Sequence, residues 1–184
     1  DPVVDYVAAV QRAGGEPALI ERSADPPEAV LAGIDGLLLP GGADIDPTLY
    51  GAVPHPATKP VSAPRDRFEI ELTRLALPHL LARPGANVIT ILSPGAYSAP
   101  RGNLAYYVAK MALTHMTKLM AADLGPKVRV NGIIPGPIET PALERVFEAK
   151  PEIRQVAMQA ARVRRLGLPE DLARFRPLHR DHRE

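Results

Sequence analysis

Apolar residues recur along this chain in two rhythms, helical and strand-like, and they alternate. Val4 to Ala13 places Val4, Val7, Ala8 and Val10 at helical spacing before the Gly14-Gly15 stop, which predicts a first helix. Pro17 to Ile20 is a short apolar strand candidate, Pro27 to Leu31 a short helix, and Ile34 to Leu39 a buried strand ending at Pro40-Gly41-Gly42. The Pro-, Asp- and Gly-rich stretch from Ala43 to Pro64 reads as a surface loop. Asp66 to Leu81 carries Phe68, Ile70, Leu72, Leu75, Leu77, Leu80 and Leu81, a helix expected to bend or break at Pro78. Val88 to Leu92 is an uncharged strand. Tyr106 to Leu124 is the clearest helix, with Ala109, Leu113, Met116, Leu119 or Met120, and Leu124 assigned to its buried face and Gly125-Pro126 as its stop. Val128 to Ile134 is the next strand. A polar, proline-broken segment, a basic helix from Glu152 to Arg165, the run Gly167 to Asp171 and a charged tail complete the chain.

Helices alternating with strands that are apolar on both faces imply a mostly parallel sheet covered on both sides. The expected fold is a three-layer α/β domain, Rossmann-like or flavodoxin-like, with about four strands. It is expected to occupy residues 1–174 as one domain, followed by a disordered tail at 175–184.

Composition narrows the chemistry. The 184 residues are 46% hydrophobic, enough for one sizeable core. Basic and acidic residues nearly cancel, 22 against 21, so no field gathers nucleic acid or an anionic membrane. No apolar run is long enough to span a bilayer and the N-terminus lacks the order of a signal peptide, which suggests a cytoplasmic protein. The chain has no cysteine, which excludes disulfides, thiolate nucleophiles and thiolate metal sites. The series Met111, Met116, Met120 reads as core or an oligomer face rather than a ligand set.

Four runs in the C-terminal half occur in a fixed order: N-V-I-T-I-L-S from Asn87, Y-Y-V-A-K from Tyr106, V-N-G-I-I-P-G-P-I-E-T-P from Val130, and R-L-G-L-P-E-D-L-A from Arg165. Ser93 stands thirteen residues before Tyr106. This stretch, roughly residues 77 to 173, resembles the second half of a short-chain dehydrogenase/reductase. Tyr106 and Lys110, four apart, project from one helix face, where an ammonium favours the phenolate of a nearby tyrosine. The resemblance implies Tyr106 as general acid/base, Ser93 as the hydrogen-bond partner of the substrate oxygen, and Lys110 as a contact of the nicotinamide ribose. It also implies that Pro135, Gly136, Ile138 and Thr140 line the cofactor, with the backbone near Ile138 and Thr140 meeting the carboxamide. Tyr107 is no substitute for Tyr106, because Met111 stands four residues on.

The N-terminal part has a different likeness. Tyr6 to Val10, Ala13-Gly14-Gly15, Ile34 to Gly42, Asp44 to Pro47 with Tyr50-Gly51, and Arg65-Asp66 with Phe68-Glu69 resemble the class I glutamine amidotransferase-like gamma-glutamyl hydrolases over about residues 2 to 76. That family places a cysteine nucleophile after the next strand; here Leu92-Ser93-Pro94-Gly95 stands there. The T-G-x-x-x-G-x-G turn and the N-N-A-G segment of the dehydrogenases are both missing.

With both half-sites incomplete, the chain reads as a chimeric or designed α/β scaffold, joined near residue 76, that carries a partial dehydrogenase site without efficient catalysis and without a cofactor. One alternative is an NAD(P)-dependent oxidoreductase acting on a carbonyl or hydroxyl, with Pro40-Gly41-Gly42 taking over phosphate binding. The other is an amidotransferase-like hydrolase using Ser93, for which His55, His79, His115, His179 and His182 are the only candidate bases. A homodimer through the Tyr106 to Leu124 helix is the expected partnership, with neither nucleic acid nor membrane.

Overall fold

The computed structural model describes residues 2–20, 26–41, 44–54, 56, 58, 62–98 and 104–173. Its elements are α1 (Pro2–Arg12), α2 (Pro27–Ala32), α3 (Ala63–Ala82), β1 (Asn87–Ile91), α4 (Leu104–Leu124), β2 (Arg129–Ile133), α5 (Pro141–Ala149), α6 (Pro151–Ala160) and α7 (Pro169–Ala173), with 3-10 turns at Pro47–Tyr50 and Pro94–Tyr97. They form two compact units, Asp1–Arg83 and Pro84–Glu184. The expected change of parentage near residue 76 therefore falls inside α3, the last helix of the first unit.

In the first unit α2 packs on α3, burying Leu31 and Leu72. Gly14, at φ 82°, takes the left-handed conformation that ends α1. Helix α3 continues through Pro78 without a break. The carbonyl of Arg74 that a proline cannot serve lies on the exposed side of the helix, where water can satisfy it. Ahead of α3, the Asp46 carboxylate accepts from the Thr48 amide to start the 3-10 turn, and the Asp46 amide donates to Asp66 Oδ2 at 2.8 Å.

Two expected strands are absent. Pro17 to Ile20 and Ile34 to Leu39 form no ladder, and Leu19 and Leu38 stay 62% and 54% exposed. A short apolar run fits an extended connection as well as a strand until a neighbour supplies hydrogen bonds. Among the described residues the sheet thus has two strands rather than about four.

The second unit is an α/β layer of Rossmann-like kind. β1 and β2 run parallel from Asn87↔Arg129 to Ile91↔Ile133, and Leu92 extends the ladder by donating to the Ile133 carbonyl at 2.8 Å. Parallel strands need a crossover, and α4 supplies it. The helix lies on the sheet through a 2.9 Å contact between the Thr117 and Thr90 hydroxyls. Thr114 and Thr117 are buried, with Tyr107, Lys110, Leu113, Met120 and Leu124 half-buried; of the expected face Leu113, Met120 and Leu124 lie on this side, while Ala109, Met116 and Leu119 are exposed. Apolarity alone misplaces the face, because Thr114 and Thr117 return their hydroxyls to the carbonyls of Lys110 and Leu113 and so can be buried. Ile89 and Ile91 point to the other face and remain half exposed.

The proline-broken segment after β2 contains a helix that sequence reading missed. Pro141 occupies the first position of α5, Thr140 Oγ1 caps it by accepting from the Leu143 amide at 3.2 Å, and Phe147 is buried beneath it. Arg154 of α6 binds Glu144 at 2.9 Å and stacks 5.3 Å from the Phe147 ring centre. The expected basic helix ends at Ala160, well short of Arg165, because the chain turns back through Arg164 at φ 56° to bury Leu166. The charged tail lies outside the described residues. Among those described, no helix is long and apolar enough to cross a membrane.

Candidate active site at the carboxyl end of the sheet

Because β1 and β2 are parallel and in register, the chain leaves both at the same end of the sheet. Open α/β sheets bind their ligands at such an end. Ser93 follows β1 by two residues and caps the Pro94–Tyr97 turn, its Oγ accepting from the Gly95 amide at 3.2 Å. The first turns of α4 bring Tyr106, Tyr107 and Lys110 to the same region, since α4 packs on this turn. Lys110 Nζ donates to the Ile91 carbonyl at 2.8 Å and lies 5.9 Å from the centre of the Tyr106 ring. One of its three protons is thereby spent on the strand end, leaving two for other acceptors. Tyr106 is 49% exposed, so its phenol is open to a ligand. Lys110 thus lies beside the Tyr106 ring and on the strand end two residues before Ser93.

Tyr107 was passed over in the sequence, yet it is the residue that touches both sides. Its ring meets the Tyr106 ring edge-on, with centres 5.5 Å apart and planes at 73°. A Cβ placed on Gly95 would lie 2.5 Å from Tyr107 Cδ1, so the ring sits directly over that glycine. The signals available were a second aromatic beside Tyr106 and a glycine in a Ser-Pro-Gly turn.

The segment leaving β2 holds the four expected cofactor residues. Among the described residues, no atom beyond its chain neighbours stands within 4 Å of where a Gly136 Cβ would be. Ile138 bridges Gly167: the Gly167 amide donates to the Pro137 carbonyl at 2.9 Å and the Glu139 amide to the Gly167 carbonyl at 2.8 Å. Asp171 holds the returning chain by accepting from the Leu168 amide and pairing with Arg165 at 2.8 Å, and that hydrogen bond, reinforced by charge, raises Arg165 above its ordinary pKa. Thr140 is engaged as the α5 cap.

Other expected features fare differently. In the first unit, the Pro40 carbonyl accepts from Arg65 Nη2 at 3.3 Å, and Gly42 lies outside the described residues. His79 and His115 are exposed on α3 and α4, while His55, His179 and His182 lie outside the described residues. Among those described, the partner of the Ser93 hydroxyl is the Gly95 amide and no histidine pairs with it. No group of three or more His, Cys, Asp or Glu side chains placed to hold a metal occurs among them either.

Residues 69–176 match the family model described as enoyl-(acyl carrier protein) reductase, and residues 3–80 match that of Peptidase C26. These two regions answer to the two likenesses read from the sequence. An uncharacterized oxidoreductase of Mycobacterium tuberculosis is 50% identical over 103 residues, which are 55% of this chain and 39% of that protein. The 7alpha-hydroxysteroid dehydrogenase of Escherichia coli is 37% identical over 130 residues, 67% of this chain and 50% of the enzyme. A solved 7 alpha-hydroxysteroid dehydrogenase complexed with NADH and 7-oxo glycochenodeoxycholic acid superposes with a TM-score of 0.52 at 39% identity, covering 58% of this chain and 42% of that one. The chain thus spans half or less of the length of these relatives.

Proposed function

Because this chain belongs to the enoyl-(acyl carrier protein) reductase family, we propose that it is an NAD(P)-dependent oxidoreductase of a carbonyl or hydroxyl substrate, with Tyr106 as its acid/base. The observation that carries this reading is the hydrogen bond from Lys110 to the last carbonyl of β1, which draws the Tyr106 helix face and the Ser93 turn to one end of the sheet. Tyr106 donates its phenolic proton to the substrate oxygen during reduction and recovers it during oxidation. The Ser93 hydroxyl, whose oxygen already accepts from Gly95, keeps its own proton to donate to that same oxygen. Lys110, held by Ile91, presents its ammonium beside the Tyr106 ring.

The residues present fit the nicotinamide end of the cofactor. Open backbone at Gly136, the Ile138 bridge and Thr140 at the start of α5 would hold that end, and Lys110 would take the ribose hydroxyls. When bound, NAD(P)H supplies the hydride. The family match supports this reading over the inert scaffold. We further propose a homodimer through α4, whose Leu104, Val108, Met111 and Leu119 are exposed apolar residues.

Titration of NADH and NADPH into the protein, followed by nicotinamide fluorescence, tests the cofactor site. Saturable binding that is lost in Lys110→Ala supports the reading; absence of binding by the folded wild-type protein refutes it.

A further inference from the structure

We propose that Tyr107 is a positioning residue that sets Ser93 and Tyr106 in register with one another, an inference that rests on the oxidoreductase reading for its consequence in catalysis. The two reactive side chains come from different elements, a 3-10 turn after β1 and the first turn of α4. The Lys110 hydrogen bond to Ile91 brings the two elements to one end of the sheet. Tyr107 adds a direct contact with each, through Gly95 on one side and the Tyr106 ring on the other.

On one side its ring covers Gly95. This is the residue whose amide orients the Ser93 hydroxyl, and the approach leaves no room for a Cβ, which would stand 2.5 Å from Tyr107 Cδ1. On the other side its ring edge meets Tyr106 with 5.5 Å between centres, a spacing at which aromatic pairs attract. The ring is half-buried whereas Tyr106 is exposed, which suits a wedge rather than a reacting group. Gly95 and Tyr107 form a matched pair: a bare α-carbon and the flat ring that rests on it.

Catalytic groups displaced by about 1 Å lose rate on the order of a hundredfold, so a wedge of this kind acts on turnover more than on cofactor binding. The test compares wild type with Tyr107→Ala, Tyr107→Leu and Tyr107→Phe by two readouts. The first is hydrogen exchange of the Gly95 amide, measured by NMR, which needs no activity. It should accelerate about tenfold or more in Tyr107→Ala, where the turn loses its cover, and stay near wild type in Tyr107→Phe, which keeps the ring. The second is carbonyl reduction with NADPH, where kcat should fall about tenfold or more in Tyr107→Ala and in Tyr107→Leu, with cofactor affinity unchanged and rescue by Tyr107→Phe. Unchanged Gly95 exchange in a folded Tyr107→Ala protein overturns the positioning role, as does wild-type turnover in both truncated variants. If wild type itself shows no turnover, the oxidoreductase reading fails, and the exchange experiment still decides whether Tyr107 orders the Ser93 turn.

Discussion

Lys110 donates to the Ile91 carbonyl at 2.8 Å, tying the second turn of α4 to the last residue of β1, two residues short of Ser93. A side chain read from sequence as a cofactor contact is therefore also a structural tether. Replacing it by Met, which keeps the stem and removes the donor, should cost about 1 kcal/mol of stability, the ordinary worth of one hydrogen bond at a partly exposed site. Urea denaturation followed by circular dichroism measures that loss, and an unchanged midpoint would mean that the tether contributes nothing.

Gly132 of β2 is a second point at which two strands and a side chain compete for one space. A Cβ there would lie 2.5 Å from Leu92 Cδ1 and 3.4 Å from Thr90 Oγ1. Gly132→Ala should destabilise the protein by about 1–3 kcal/mol through overpacking. In a Leu92→Ala background the added methyl meets less resistance, so the two changes should cost less together than the sum of the separate costs. Additive costs would show that the glycine serves some other purpose.

Helix α4 and strands β1 and β2 were legible because each carries a strong local signal: helical spacing over Tyr106 to Leu124, and short, mostly apolar runs for the strands. The candidate set was legible through its spacing, since Ser93 stands thirteen residues before Tyr106 and Lys110 four after it. Pro17 to Ile20 and Ile34 to Leu39 look much like β1 as sequences, but strands exist only as pairs, and neither has a strand partner among the described residues. Helix α5 was missed because Pro141 was taken as a breaker when it sits at a first helical position, where its missing amide costs nothing. The contact of Tyr107 with Gly95 could not be read from the second tyrosine and the glycine alone, because it depends on how α4 meets the Pro94–Tyr97 turn.

Asp46 gives a pH signature in the first unit. The Thr48 amide, and then the Thr48 hydroxyl, hydrogen-bond its carboxylate and lower its pKa below the ordinary aspartate value. A carboxylate whose folded pKa lies below its unfolded one contributes stability above the unfolded value and loses it as the pH falls through the folded one. Asp46→Asn keeps an acceptor oxygen but not the charge, so wild type should exceed it in urea midpoint near neutral pH, and the difference should vanish at strongly acidic pH. A difference independent of pH would place the effect in geometry and not in charge.

The apolar stripe of α4 bears on assembly. Leu104 is 79% exposed and Val108 59%, and Met111 follows at helical spacing. A charge in its centre, Val108→Glu, should convert a dimer to a monomer in sedimentation equilibrium while leaving helicity unchanged. A wild-type protein that sediments as a monomer would remove the proposed interface.

The central claim is that Tyr106 moves a proton to or from a substrate oxygen, and carbonyl-dependent oxidation of NADPH tests it most directly. The account predicts measurable turnover by the wild-type protein with at least one member of a panel of ketones and aldehydes, falling by roughly two to four orders of magnitude in Tyr106→Phe, the usual worth of a positioned general acid. Equal rates in the two proteins, or no carbonyl-dependent oxidation by folded wild type, would contradict it and leave a scaffold that carries the catalytic residues without their chemistry.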